Sequence, residues 1–259
     1  MKLFLSLLCC LSFYLPGNPA FGTRTELNDQ GGNGQKTVDA MQALTAELAN
    51  PLEIFRKNEI RNGMKFDPMS FFTVLKNISL PEGKILDYFY QMEPGSGYPL
   101  LYVRSPDQKP YKNREEYEKA QSKRQASRED MLNKVMQTLV LENCEAGYFE
   151  YAVFYLLAPN FYLHKWANTD LKIVCHATGL DEILKNNSKI PATAVAAAKK
   201  LELTPQIVLD QDEGKVKLIT FSAWGGFFAE NFIISRSLPH TLLQHSKKCL
   251  VEYNCGIKF

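Results

Sequence analysis

The chain lacks the sequence motifs that identify most enzyme classes. Its 259 residues contain no Cys-x-x-Cys pair, no Cys/His metal spacing, no H-E-x-x-H helix, no Walker glycine loop and no dinucleotide fingerprint. Ser222 is followed by a glycine three residues later, but it lacks the preceding glycine of a G-x-S-x-G nucleophile elbow. The sequence therefore predicts no metal and no cofactor, and it assigns no reaction.

A strong excess of charge is also missing. The formal net charge is +2, and removing the N-terminal segment, whose one charged side chain is that of Lys2, leaves +1. Proteins that bind nucleic acids or acidic membranes carry a basic excess on one element. No nucleic-acid partner is therefore predicted. With 45% apolar residues the chain can build a substantial core, and we predict one domain.

Long apolar runs are scarce, and the run at the N-terminus is too short to span a membrane. It covers residues 3–15, about 13 residues against the about 20 that a bilayer requires. Lys2 precedes the run, and Ala20-Phe21-Gly22 places small residues three and one before a cleavage point. This pattern predicts a signal peptide over residues 1–22. We therefore expect an exported protein, periplasmic or secreted, with no integral membrane segment after processing.

Cysteine is sparse, and four cysteines remain after the predicted cleavage: Cys144, Cys175, Cys249 and Cys255. An even number in an exported chain permits two disulfides, with three possible pairings. A Cys249–Cys255 bridge is disfavoured, because about 20 Å separates them on one strand at about 3.3 Å per residue, against about 5.5 Å in a disulfide. Four free thiols that pack as small apolar side chains are equally consistent with the sequence.

The C-terminal region contains the clearest structural signal. Residues 215–224 and 227–235 are rich in β-branched and aromatic side chains, and only Gly225 and Gly226 separate them. Two glycines supply the positive φ angles of a type I′ turn, so a β-hairpin is predicted. A last strand is predicted over residues 249–259, where apolar and polar side chains alternate. We expect this strand to complete the same sheet with one face buried.

The rest of the chain predicts a mixture of helices and strands. Residues 23–36 are polar and rich in glycine, which predicts a flexible leader before a folded domain of residues 37–259. Helices are expected over residues 37–50, 51–63, from 68 onward, within 113–139, and over 180–184 and 191–201. Asp67 and Asn113 are predicted to cap the helices that follow them. Strands are expected over residues 84–92, 99–104, 148–157, 161–166, 171–175 and 206–210. Since strands follow strands through short turns, we predict an α+β fold, a mainly antiparallel sheet of hairpins with helices packed on it.

Four histidine or tryptophan residues are candidates for ligand binding. His164 lies on the same face of a predicted strand as Trp166, an arrangement suited to an aromatic or sugar-like ligand. A partly buried histidine within an aromatic sheet explains the same pattern. Trp224 lies beside the predicted hairpin turn, and His240 lies in the loop after the hairpin, where functional residues are common.

Glu230 is the carboxylate of most interest. On a regular strand it lies on the same face as Phe228, Phe232 and Ile234, where an unpaired acid would be costly and would have a raised pKa. Such a group could act as a general acid, a metal ligand or an ion-pair partner. The alternatives are that the opposite face of the strand is buried, or that a basic residue such as Arg236 pairs with the carboxylate.

Two hypotheses of function follow. The first is an exported, non-enzymatic protein that binds a small molecule, a glycan or a protein through a sheet face or loop rich in aromatic residues. The second is an exported hydrolase whose acid and base come from Glu230, His164 or His240. The first is favoured because no catalytic constellation is recognisable. A hydrogen bond between Glu230 and a histidine in one concave pocket would favour the second.

Overall fold

The computed structural model describes residues 30–46, 66–93, 96–122, 126–161 and 171–253. The helices are α1 (Gln30–Ala46), a 3-10 helix (Pro68–Ser70), α2 (Phe71–Val74), α3 (Arg114–Ala120), α4 (Arg128–Thr138), α5 (Glu145–Leu157), α6 (Ala177–Asn186) and α7 (Ala192–Ala198). The strands are β1 (Ile78–Ser79), β2 (Ile85–Glu93), β3 (Ser96–Arg104), β4 (Val140–Leu141), β5 (Leu171–Val174), β6 (Gln206–Leu209), β7 (Glu213–Ser222), β8 (Gly226–Ser235) and β9 (Leu242–Val251). The predicted signal peptide, the predicted helix over residues 51–63 and residues 162–166 of a predicted strand lie outside the described residues.

The strands pair antiparallel throughout the described residues, which confirms the predicted α+β fold. The largest sheet has the order β5-β7-β8-β9, and β6 pairs with the part of β7 that β5 leaves free. Two smaller sheets are formed by β1 with β4 and by β2 with β3. Helix α5 contacts β6 and β7 of the large sheet and also α1, α4, β1 and β4. The main core therefore surrounds this one helix.

Helix α5 occupies the segment that was predicted as a central strand over residues 148–157, so that prediction was wrong. All residues from 147 to 154 are buried. A segment that is buried all round shows no apolar periodicity, and its pattern fits a covered strand and a buried helix equally well. Contacts distant in sequence surround the helix: the ring of Phe154 lies 6.0 Å from that of Phe71 and 5.8 Å from that of Phe72.

The predicted C-terminal hairpin is present, but its turn differs from the predicted type I′ turn. Ser222 pairs with Gly226, so the connection consists of residues 223–225. The Gly225 N–H donates to the carbonyl oxygen of Ser222 at 3.2 Å and closes the turn. Of the two glycines, only Gly226 has a positive φ, 98°. The turn therefore includes Trp224, and the positive φ that favours glycine occurs only where β8 begins.

Gly226 is expected to tolerate no side chain. A Cβ atom there would lie 2.0 Å from the carbonyl oxygen of Val251 in β9. We expect Gly226→Ala to lower the free energy of unfolding by about 2 kcal/mol, because the backbone of β9 must move. Gly83→Ala is the matched control: its φ is 71°, nothing lies within 4 Å, and the cost should be about 1 kcal/mol. If urea unfolding gave the same loss in free energy of unfolding for both variants, the close approach to Val251 would not be what disfavours a side chain at residue 226.

The last strand, β9, begins before the strand predicted over residues 249–259 and ends at Val251, so the prediction was wrong for residues 252 and 253; residues 254–259 lie outside the described part of the chain. It joins the sheet of the hairpin, as predicted, by pairing with β8. Val251 and Tyr253 are buried as predicted, but Cys249 is exposed, so the expected burial of that residue was wrong. Residues 243–250 are exposed on both faces of the strand. Without a buried face there is no apolar alternation, and the pattern therefore does not reveal residues 242–248 as a strand.

Helix α1 begins inside the segment that was predicted to be a flexible leader. For residues 30–36 that prediction was wrong, because the helix extends N-terminally to Gln30. The side-chain oxygen of Gln35 accepts a hydrogen bond of 2.9 Å from the backbone N–H of Cys175, and Val38 and Met41 are buried in the main core. Such long-range contacts outweigh the poor helix propensity of the glycines. They cannot be deduced from local composition.

Local signals predicted several other elements correctly. The side chain of Asp67 accepts a hydrogen bond from the Met69 N–H at 2.9 Å, and that of Asn113 accepts one from the Glu116 N–H at 2.9 Å, so both predicted helix caps are confirmed. The β2–β3 hairpin, strands β5 and β6 and helices α6 and α7 also lie where they were predicted. Each of these signals depends on residues close in sequence.

Cys144, Cys175 and Cys249 are free thiols, and Cys255 lies outside the described residues. The three described cysteines are therefore not joined to one another. Burial raises the pKa of the Cys175 thiol to about 12, and the charge of Asp39 adds to this shift. Within the described ranges, every helix is too short or too polar to cross a bilayer.

Candidate functional site

The candidate site residues from the sequence do not come together. His164 and Trp166 lie outside the described residues. Trp224 lies in the turn before β8, and His240 follows the far end of that strand, so about 30 Å of extended chain separates them. Glu230 lies near the middle of the same strand. Trp224, Glu230 and His240 therefore do not line one common pocket.

His240 makes structural contacts at the end of β8. The side chain is buried, and its Nδ1 atom lies 3.1 Å from the carbonyl oxygen of Ser235. Its own carbonyl oxygen accepts a hydrogen bond of 3.1 Å from the hydroxyl of Tyr151 in α5. These bonds connect the loop to the central helix, and they favour a structural role for His240 over ligand binding.

Glu230 lies at the centre of a charged cluster formed by β7, β8 and β9. Its side chain is 1% exposed. One carboxylate oxygen lies 2.8 Å from Nε2 of His245, and the other accepts from the hydroxyl of Thr220 at 3.0 Å and lies 3.2 Å from Nζ of Lys247. The register between β8 and β9 explains the arrangement. Lys247 is directly opposite Glu230, and His245 lies two residues before Lys247 on the same face of the sheet.

The pKa of Glu230 is lowered, opposite to the shift expected of an unpaired buried acid. Burial by itself raises this pKa, but the hydrogen bond with His245 and the charge and hydrogen bond of Lys247 favour the carboxylate and outweigh burial. Arg236, the partner suggested by the sequence, instead donates a hydrogen bond of 3.0 Å to the side chain of Asn143. Glu230 is thus buried on the predicted face, but it is paired and ionised at neutral pH.

Aromatic rings hold the two basic side chains of the cluster in place. The ring of His245 stacks on Phe232 with centroids 4.6 Å apart, and it meets the ring of Tyr155 from α5 at 5.1 Å. Nζ of Lys247 lies 4.3 Å from the centre of the Phe228 ring, within range of a cation–π interaction. Side-chain contacts therefore attach β9 to the sheet in addition to the backbone ladder.

The cluster contains a Glu–His hydrogen bond, the feature that would favour a hydrolase, but it lacks other parts of an active site. Glu230 is almost fully buried, and an ionised carboxylate cannot serve as a general acid. Among the described residues, none hydrogen-bonds to Nδ1 of His245, where a nucleophile would lie. Two surface cavities, of about 490 and 560 Å³, are lined by other residues. The geometry favours a structural role for this hydrogen bond.

Sequence analysis missed a second buried carboxylate, that of Glu150 in α5. Its two oxygens accept hydrogen bonds of 2.6 Å from the backbone N–H and the side-chain amide of Asn77. Burial raises the pKa of Glu150, and the Asn77 donors offset only part of this shift. The group fastens the central helix to the chain just before β1. A single acid within a long aromatic run was the signal that could have identified it.

The edge strand β9 leaves one side of its backbone unpaired among the described residues. Among the described residues it pairs only with β8, so the N–H and C=O groups of one side point away from the sheet. Residues 243–250 are all exposed, and they include Leu243 at 53%. The ten residues of β9 present about 30 Å of free edge. Extended peptides bind to edges of this kind by strand addition.

His245 and Lys247 were also missed, because no strand was predicted before Cys249. His245, Lys247 and Cys249 occupy every second position, which is the side-chain period of a strand. That spacing, together with an acid on the preceding predicted strand, could have indicated the cluster.

No protein-family model, curated protein or solved structure that was compared with this chain matches it. Among the described residues, no group of three or more His, Cys, Asp or Glu side chains could hold a metal ion. An inference about function therefore depends on the charged cluster around Glu230 and on the free edge of β9.

Proposed function

We propose that this chain is a non-enzymatic domain that binds another protein by adding an extended segment of that protein to the free edge of β9. The observation that carries the proposal is the exposure of residues 243–250 on both faces of an edge strand. Each ladder hydrogen bond to an added strand contributes about 0.5–1.5 kcal/mol net. A segment as long as β9 can therefore bind without a deep pocket.

The charged cluster behind β9 supports this use of the edge. Glu230 binds His245 and Lys247, and aromatic rings pack against both basic side chains. The strand is thus held extended before a partner arrives, which reduces the entropy cost of binding. A small molecule or a glycan would need convergent side chains, whereas Trp224 and His240 lie at opposite ends of β8. A protein partner is therefore favoured over both.

Peptide display tests the proposal. Random peptides as long as β9, 10 residues, are selected on the full chain, and the selected peptides are synthesised. Hydrogen–deuterium exchange of the chain is then compared with and without each peptide. We expect the amides of Leu242–Val251 to become protected, because those that face outward gain an acceptor in the added strand.

Unselected peptides from the same library are the control and should leave exchange in β9 unchanged. Selected peptides that protect only another surface would contradict the proposal. Failure to enrich any binding peptide over the control would also contradict it.

A further inference from the structure

The free edge of β9 carries charge of one sign. Leu242–Val251 contains His245, Lys247 and Lys248 and no acidic residue. We infer that the segment bound by β9 is an acidic, extended stretch of the partner protein with carboxylates at alternate positions; this inference rests on the proposed function. Charge complementarity thus narrows the expected partner from any extended segment to an acidic one.

Lys248 is the basic side chain most accessible to such a partner. Register places it opposite Ala229, on the face of β9 that points away from Glu230. Its side chain is exposed and has no hydrogen bond or ion pair with any described residue. Lys217 in β7 lies on the same face of the sheet, half-buried and likewise unpaired within the described ranges. This face therefore carries positive charge that no described carboxylate compensates.

Lys247 differs from Lys248 because it already has an acidic partner. Its Nζ atom lies 3.2 Å from the carboxylate of Glu230 and 4.3 Å from the centre of the Phe228 ring. An acidic strand that adds to the edge would meet Lys247, which is already paired with Glu230, on one face of the sheet. On the other face it would meet Lys248, which has no ion pair with a described residue. We therefore expect Lys248 to contribute more to the recognition of acidic side chains than Lys247.

A second copy of this chain whose β9 pairs in a register centred on Lys247 or Lys248 fits the edge less well than an acidic segment. Two β9 strands related by a two-fold axis pair antiparallel. With the axis between Lys247 and Lys248, Lys247 lies opposite Lys248 of the second copy; with the axis at either lysine, that lysine lies opposite itself. Like charges directly opposite destabilise a strand pair, and edge lysines commonly prevent self-association. The same charges attract an acidic strand.

Fluorescence anisotropy tests the inference. The full chain is titrated into a fluorescein-labelled peptide of the length of β9 that alternates threonine and glutamate, in about 50 mM salt, where screening is weak. A peptide that alternates threonine and lysine is measured in parallel. We expect the glutamate peptide to bind about tenfold more tightly, since opposite charges across a strand pair attract and like charges repel. Equal affinities would overturn the inference.

Two variants and one further peptide separate strand addition from general charge attraction. Lys248→Glu should weaken binding of the glutamate peptide about fivefold, whereas Lys109→Glu, an exposed change in the connection after β3, should leave it unchanged. A threonine–glutamate peptide that is N-methylated at every residue has the same charge but lacks all of the backbone donors, and it should bind about fivefold more weakly. Equal binding of both acidic peptides, or equal effects of both variants, would overturn the inference.

Failure of this inference can be distinguished from failure of the proposed function. If displayed peptides protect β9 but contain no excess of acidic residues, the inference of an acidic partner is wrong, whereas the proposal that β9 binds an extended segment is supported. If neither charged peptide binds and no displayed peptide protects β9, both are wrong. If sedimentation shows self-association that Lys248→Glu strengthens, the occupant of the edge is a second copy of this chain rather than an acidic partner.

Discussion

Phe154→Ala is expected to lower the free energy of unfolding by about 4 kcal/mol. The side chain is fully buried in α5 and contacts the rings of Phe71 and Phe72. Truncation removes buried apolar surface, and it leaves a cavity that a helix packed on all sides cannot close. Urea unfolding followed by far-UV circular dichroism measures the change.

Leu238→Ala is the matched control for this substitution. Leu238 is 70% exposed, so its truncation should change the free energy of unfolding by no more than about 0.5 kcal/mol. Similar costs for the two variants would contradict the central position of α5 in the core.

Glu230→Ala should lower the free energy of unfolding by about 3 kcal/mol at neutral pH. The substitution leaves a cavity, and it removes the counter-ion of Lys247 and the partner of His245 in a partly buried cluster. Lys215→Ala is the control, because its ion pair with Asp210 is exposed and should contribute no more than about 0.5 kcal/mol. Urea unfolding measures both losses. Equal losses in free energy of unfolding would contradict a stabilising role for the paired Glu230 carboxylate.

The cost of Glu230→Ala should also depend on pH. In the folded state the pKa of Glu230 is lowered from its ordinary value of 4.5, so the ionised form stabilises the fold. This contribution is fully present above about pH 4.5 and is lost as the pH falls through the lowered folded pKa. The difference between the variant and the natural chain should therefore shrink in acid. A difference that stayed constant down to about pH 3 would mean that the ionised carboxylate contributes nothing.

The sequence predicted those parts of the fold that depend on residues close in sequence. The C-terminal hairpin followed from two β-branched and aromatic runs separated by glycines, and the caps at Asp67 and Asn113 followed from side chains that bond within their own helix. Antiparallel pairing followed from the short turns between strands. The α+β class could therefore be assigned without knowledge of tertiary contacts.

The errors occur where tertiary contacts determine the structure. Helix α5 is buried on every side, so its apolar pattern contained no period to distinguish helix from strand. Strand β9 is exposed on both faces, so it had no apolar alternation. The partners of Glu230 depend on the register between β8 and β9, which cannot be derived before β9 is recognised. Of the candidate site, the sequence thus indicated the buried carboxylate but neither of its basic partners.

The binding of an extended segment along β9 is tested most directly by nuclear Overhauser contacts between the isotope-labelled full chain and the unlabelled peptide of alternating threonine and glutamate. Strand addition predicts contacts between α-protons of the peptide and of Leu242–Val251, spaced at every second residue if the added strand is antiparallel. Contacts that involve only side chains, or that lie on another surface, would contradict the account.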